Sequence, residues 1–275
     1  MVLEGNCLEK IDEITPCSIQ TVVTSPPYWG LRDYDNDGQL GQESSPEIFV
    51  FNLTKLFSKI KTVLKDDGTV WVNIGDTFFG AKGGHHDSDN SITSNETGSE
   101  YRQKRKAPPK HKYLKDGDLS GVPWMFAKSM QEDGWYLKQD IIWNKPNPMP
   151  EAVNNRCVKS HEYIFLFTKK KQYYFDAEAI STPKSDGKGY IRKGSVWTIN
   201  TASFSGAHFA VFPDNIPGYC IKAGSKIGDT ILDPFMGSGT TAVVAQKLGR
   251  KWIGIELNPD YIEIIKRRTS QTEMF

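Results

Sequence analysis

The chain has 275 residues, of which 38% are hydrophobic, enough for one sizeable domain spanning 1–275 with a conventional core. It has no apolar run of about 18 residues and no signal-peptide order at its start, which argues against a membrane partner and leads us to expect a cytoplasmic protein. A net charge of +1 excludes a uniformly basic, polyanion-coating protein, although lysine and arginine cluster locally.

In chain order, Val2–Glu4 reads as a short strand and the β-branched run 21–24 as a second, stopping at the Ser25-Pro26-Pro27 sequence. Residues 44–47 form a capping-box pattern with Pro46 in the first turn, and Gly68 is expected to stop the amphipathic helix that follows. Strand 69–74 comes next. Residues 80–120 then lose all apolar period and carry Lys104, Arg105 and Lys106, so we expect a long basic inserted loop. Pro123 and Gly134 bracket a helix, followed by strands 135–143 and 163–168. Residues 182–207 are irregular and mix Lys184, Lys188, Arg192 and Lys193 with aromatics. Strand Thr230–Asp233, a helix from near Ser238 to Gly249, and strand Lys251–Glu256 complete the chain. This alternation predicts a doubly wound α/β sheet.

The turn DPFMGSGTT, 233–241, joins a strand to a helix where α/β proteins bind nucleotides. It lacks the lysine of a phosphate loop and the third glycine of G-x-G-x-x-G. S-adenosylmethionine fits better, with Glu256 at the end of the next strand able to accept from both ribose hydroxyls. A purely structural turn beside a strand-end acid would also account for these residues.

TSPPY, 24–28, can serve transfer to an exocyclic base nitrogen. Ser25 Oγ and the Pro26 carbonyl are two acceptors for the two amino N–H bonds, and Pro26 and Pro27 make them rigid. Tyr28, with Trp29 as a second candidate, can stack on a base that has left its helix. Simple strand termination is the competing explanation. A serine nucleophile is disfavoured because no G-x-S-x-G surrounds Ser25.

TSPPYWG together with DPFMGSGTTAVVAQKLGRKWIGIELNPDY resembles the DNA amino-methyltransferases of the permuted beta class, in which the catalytic motif precedes the cofactor motif as it does here. LEGNCLEKI, HFAVFPDNIP and SHEYIFLF resemble further segments of that family, so the likeness covers nearly the whole chain. It implies a Rossmann-like methyltransferase sheet of seven mostly parallel strands, with Thr230–Asp233 central and the 162–168 strand antiparallel. It also implies inserted DNA-recognition loops, the candidate target-recognition region being 177–207.

The same resemblance implies a base site of Ser25, Pro26, Pro27 and Tyr28. Around S-adenosylmethionine it implies Asn6, Phe212, Pro213, Asp233, Phe235, Gly237, Ser238, Gly239, Thr240 and Glu256. Double-stranded DNA is the implied partner, with the basic residues named above on its phosphates, and a restriction endonuclease is the expected functional counterpart of a monomer or homodimer. Serine in the first motif position is associated with N4-cytosine, aspartate with N6-adenine. Relatives carry an acid near the end of the strand after the catalytic motif. Here Asn73 stands in that stretch, and Asp76, slightly beyond, is the candidate for that role, with a turn or cap as the alternative.

Other chemistries fit less well. Carbon-5 methylation needs a thiolate, and Cys17 after Pro16 precedes the wrong strand. The five histidines and the cysteines Cys7, Cys17, Cys157 and Cys220 show no ligand spacing, so we expect reduced thiols and no metal. An inactive DNA-binding protein on the same scaffold is the alternative of a different class.

Overall fold

The β-branched run at 21–24 is the heart of strand β2, and the way its side chains alternate explains the layering of the molecule. The computed structural model describes residues 1–31, 38–80, 110–148, 150–151, 154–201 and 213–272. In chain order these form β1 (Val2–Glu4), α1 (Cys7–Lys10), β2 (Ile19–Thr24), α2 (Pro46–Val63), β3 (Leu64–Ile74), α3 (Val122–Glu132), β4 (Tyr136–Asn144) and β5 (His161–Thr168). There follow β6 (Thr182–Pro183), β7 (Tyr190–Ile191), β8 (Val196–Thr198), α4 (Asn215–Gly224), β9 (Thr230–Asp233), α5 (Thr240–Lys247), β10 (Lys251–Glu256) and α6 (Pro259–Thr272).

One eight-stranded sheet has the order β1-β10-β9-β2-β3-β5-β4-β8. Val22, Val70, Val72, Phe165 and Phe167 face one core shared with α2 and α3, while Val23, Trp71, Ile164 and Leu166 face a second core that includes residues of α4 and α5. This period-two switch, on strands buried on both faces, is what a sheet covered by helices on both sides requires. β5 runs antiparallel to both neighbours, as the resemblance implied, and the other pairings are parallel.

The eighth strand departs from the expected seven. β8 arises inside the irregular 182–207 stretch and pairs with β4 through Trp143↔Trp197, burying both indoles. In the same stretch β6 and β7 form a small antiparallel hairpin. Helix α2 is capped by Ser45, whose Oγ accepts from Ile48 N at 3.3 Å, one residue later than the pattern suggested. It ends at Val63, not at Gly68, because Leu64 turns directly into β3. Gly68 lies within that strand, where an added Cβ would sit 2.9 Å from the Gln20 carbonyl oxygen of β2.

Of the expected loop at 80–120, the described part 110–120 is irregular, with a single bridge between Phe78 and Leu119. Ser120 N donates to Thr77 O at 2.9 Å, Phe79 N to Asp118 O at 2.8 Å, and Tyr113 Oη to Glu47 at 2.8 Å, so its last part is anchored. Its basic centre, with Lys104, Arg105 and Lys106, lies outside the described residues.

Candidate active site

Where β2 and β9 pair side by side, β3 follows on one side and β10 on the other, so the two halves of the sheet diverge there. Ligands of open α/β sheets bind beyond the carboxyl ends of strands at such a divergence. Both sequence motifs begin there. Thr24, immediately before Ser25, donates from Oγ1 to Asp233 Oδ1 at 2.6 Å, joining them directly.

Asp233 is buried, and both its oxygens are occupied: Oδ1 also accepts Phe235 N at 3.0 Å, and Oδ2 accepts Thr241 Oγ1 at 2.7 Å. Burial raises its carboxyl to about 6 in spite of these donors. The expected cofactor residue thus holds the frame of the turn. Ser238 and Thr240, also expected at the cofactor, turn their hydroxyls to Arg268 of α6, whose Nη1 donates to Ser238 O at 2.7 Å, Ser238 Oγ at 3.0 Å and Thr240 Oγ1 at 3.4 Å. Sequence reasoning missed Arg268 because no local pattern links it to the turn.

What remains open is main chain and one carboxylate. Gly237 adopts φ 52°, and an added Cβ there would find nothing closer than the Phe235 carbonyl oxygen at 4.0 Å, so the space against its backbone is free. Glu256 Oε2 accepts Gly237 N at 2.7 Å and Oε1 accepts Asn258 N at 2.9 Å, and a carboxylate so bonded keeps lone-pair capacity for a further donor. Burial raises this carboxyl to about 7. Asn6 lies close by, since Gly5 N donates to Glu256 O at 2.9 Å; its side chain caps α1 at Leu8 N and donates to Gly38 O at 3.2 Å. Pro213 is buried just before α4, and Phe212 lies outside the described residues.

On the β2 side, Ser25 is half-buried at the strand end, with Tyr28 three residues further on. Tyr28 Oη donates to Glu162 Oε2 in a short bond. Glu162 also accepts Asn73 Nδ2 at 3.0 Å and, on Oε1, the Lys145 ammonium, while Lys159 donates to the Asp76 carbonyl nearby. Burial first, and the Glu162 charge second, hold the Tyr28 phenol well above its ordinary range. Glu162, Lys145 and Lys159 were not foreseen; SHEYIFLF was legible only as a strand.

Asp76 accepts Thr77 N at 2.9 Å, Gly121 N at 3.0 Å and Val122 N at 3.2 Å, so its carboxylate caps α3, whose Gly121 has no side chain to do so, which is the cap role the sequence offered as the alternative. Trp29 is 4% exposed, donates to Glu43 O and stacks on Phe79, which makes it core and not a base platform.

Gly75 makes the Tyr28 arrangement fit: an added Cβ would lie 2.6 Å from Tyr28 Cε2 and 3.3 Å from Glu162 Cδ. We expect Gly75→Ala to leave the fold intact but to shift Tyr28 and lower turnover roughly 100-fold, the usual effect of about 1 Å of misplacement. Unchanged steady-state rates would show that the ring position is not critical.

Of the expected DNA contacts, Lys184 and Lys188 lie in the exposed turn joining β6 to β7, closed by Lys184 N to Gly189 O at 3.0 Å, and Arg192 is exposed just after β7. Lys193 packs its ammonium on Tyr219, 3.8 Å from the ring centre, and near Trp197. Among the described residues no helix is long and apolar enough to cross a membrane.

Comparison with known proteins agrees with this arrangement. A family model described as DNA methylase, of the N6/N4 type, matches residues 19–267. The chain is similar to the Type II methyltransferase M.Cfr9I of Citrobacter freundii, 46% identical over 267 residues that cover 97% of this chain and 86% of the relative. It is also similar to the Type II methyltransferase M.SmaI of Serratia marcescens, 47% identical over 268 residues that cover 97% and 89%. Among solved structures, the cytosine-N4-specific PvuII DNA methyltransferase superposes with a TM-score of 0.70 at 20% identity, over 99% of this chain and 89% of that one. The Thermus thermophilus protein TTHA0409, complexed with S-adenosyl-L-methionine, does so with a TM-score of 0.66 at 22% identity, over 98% and 93%.

Proposed function

The chain belongs to the N6/N4 DNA methylase family, and from that premise we propose that it transfers a methyl group from S-adenosylmethionine to the exocyclic N4 of cytosine in double-stranded DNA. The observation that carries the reading is the Thr24–Asp233 bond, which seats the amino-accepting motif beside the glycine turn. S-adenosylmethionine, when bound, supplies a methyl group on a positively charged sulfur.

The backbone at Gly237 lets that ligand lie against the turn, whereas an added Cβ at Gly239 would meet Ile265 of α6 at 3.0 Å, and Glu256 accepts from the ribose hydroxyls. Ser25 Oγ and the Pro26 carbonyl accept from the target amino group, favouring the tetrahedral nitrogen whose lone pair points at the methyl. The target base leaves the duplex and stacks on Tyr28, which offsets the few kcal/mol of unpairing. The serine-first motif favours cytosine over adenine, and the cytosine-N4 specificity of the PvuII enzyme is a second support for that choice.

Nucleoside mass spectrometry of DNA treated with the purified protein and labelled cofactor tests this. N4-methylcytosine is expected; N6-methyladenine alone, or no label, refutes it. Because a half-buried Glu256 with a carboxyl near 7 must be ionised to accept from both hydroxyls, cofactor affinity should weaken about tenfold from pH 8 to pH 6. Calorimetric titration of Glu256→Gln should lose that dependence, and an unaltered slope would remove Glu256 from the ribose.

The hairpin of β6 and β7 supplies phosphate contacts in this reading. Replacing Lys184 and Lys188 together by glutamine should reduce the salt slope of DNA binding by roughly 2. An unchanged slope would take the hairpin off the DNA.

A further inference from the structure

We propose that Arg268 of the last helix is a positioning residue for the cofactor: it holds the glycine turn from behind, in the shape that leaves the Gly237 backbone open to S-adenosylmethionine. This rests on the placing of S-adenosylmethionine at that turn given above.

A turn with glycine on both sides of Ser238 is weakly determined by its own sequence. Gly237 and Gly239 adopt φ 52° and 85°, and glycine takes the opposite sign of φ about as readily, so the Ser238 peptide units can rotate at little steric cost. The freedom that admits a ligand to the backbone therefore also lets the unliganded turn leave the binding shape. On the strand side the turn is held by Gly237 N to Glu256 Oε2 at 2.7 Å and by Gly239 N to Met236 O at 2.9 Å. Neither bond engages Ser238.

Arg268 does. Its Nη1 donates to Ser238 O at 2.7 Å, to Ser238 Oγ at 3.0 Å and to Thr240 Oγ1 at 3.4 Å, so one nitrogen ties both neighbours of Gly239. Rotating the peptide between Ser238 and Gly239 would swing the Ser238 carbonyl off the guanidinium and break a charge-assisted bond. Ser238 and Thr240 are 7% and 2% exposed, so water is badly placed to replace the lost donor.

The approach of α6 makes this reach possible. Ile265, three residues before Arg268 and on the same face of the helix, is buried with Met236 and Ala242. A Cβ added at Gly239 would lie 3.0 Å from Ile265 Cγ1 and 3.5 Å from its Cα, so helix and turn meet at their backbones. No side chain caps α5, whose N-cap is Gly239 itself, and the restraint on its entry comes from α6 instead. It is in place before the cofactor arrives, and preorganisation of this kind is read out as affinity.

The test is calorimetric titration with S-adenosylmethionine. Arg268→Met, which keeps most of the stem and removes every side-chain donor, should raise the dissociation constant about 10- to 30-fold. Arg268→Lys, which restores a charged donor, should raise it only about threefold. In both, kcat at saturating cofactor should stay within about twofold of the wild type, because the loaded turn has the same shape. Should Arg268→Met not fold, Arg268→Lys decides by the same measurements.

Hydrogen exchange supplies a readout without ligand. In the free protein the Gly239 amide should exchange about tenfold faster in Arg268→Met, while the amides of β2 and β9 keep their wild-type protection. An unaltered dissociation constant, a kcat that falls along with affinity, or protection lost evenly across the sheet would overturn the proposal. Gly237→Ala separates it from the reading it rests on. If that variant binds S-adenosylmethionine as the wild type does, the cofactor does not lie at the turn and both readings fall; if it binds weakly while Arg268→Met binds normally, only the role of Arg268 falls.

Discussion

Ser25→Ala is expected to lower turnover roughly 100- to 1,000-fold while the dissociation constant of S-adenosylmethionine changes by no more than about twofold. The separation follows from where the hydroxyl lies. Ser25 is at the end of β2, on the Tyr28 side of the site, whereas the free backbone at Gly237 and the Glu256 carboxylate lie beyond β9 and β10. An acceptor for an amino proton gains most when nitrogen becomes tetrahedral, so its loss falls on the transition state. Single-turnover rates at saturating cofactor, with affinity measured separately, check this. Equal losses in both would mean that the motif holds cofactor or fold.

The second large effect is expected at Asp233. Asp233→Ala strands two buried donors, Thr24 Oγ1 and Thr241 Oγ1, and the part-buried Phe235 N, and should cost about 3 kcal/mol. For a chain of this size that lowers Tm by roughly 6–12 °C. Asp233→Asn should behave differently. The Asp233 carboxyl is raised to about 6, above the ordinary aspartate value of 3.8, so its ionised form opposes folding at neutral pH. That cost is present above about pH 6 and is relieved as pH falls toward 4. An amide carries no such cost: its oxygen still accepts Thr24 Oγ1 and Phe235 N, and its NH2 can donate to Thr241 Oγ1, whose proton turns to Val23 O, so Asp233→Asn should match or exceed the wild-type Tm at pH 8. Its Tm should also lose part of the wild type's gain on acidification. Thermal melts at both pH values decide it; a large loss in Asp233→Asn would mean that the charge itself holds the turn together.

Asp233 also shows how far a motif can mislead about a side chain. Its place at the strand end was legible, and so was the turn after it. That its carboxylate points inward, to Thr24 and Thr241, depends on β2 lying beside β9, a pairing of residues about as far apart in the chain as Thr24 and Asp233, 209 positions. Ser238 and Thr240 repeat the lesson, since their partner Arg268 comes from the last helix. Trp29 follows Tyr28 in sequence, yet the turn closed by Gly30 N to Gly41 O at 2.7 Å accompanies an indole directed into the core.

The sequence by itself determined the alternation of strands and helices, the two motifs at strand ends and their permuted order, because each is written in a few neighbouring residues whose backbone preferences and periodicity are local. The tertiary structure alone decided which side chains surround Tyr28. β5 runs against its neighbours, so its first residues, not its last, reach the edge of the sheet where the other strands end, and Glu162 meets Tyr28 across 134 positions of sequence. Asp76, close to β3 in sequence and the expected acid, caps the start of α3. Strand direction and register are long-range properties, and they place the carboxylate where no local pattern could announce it.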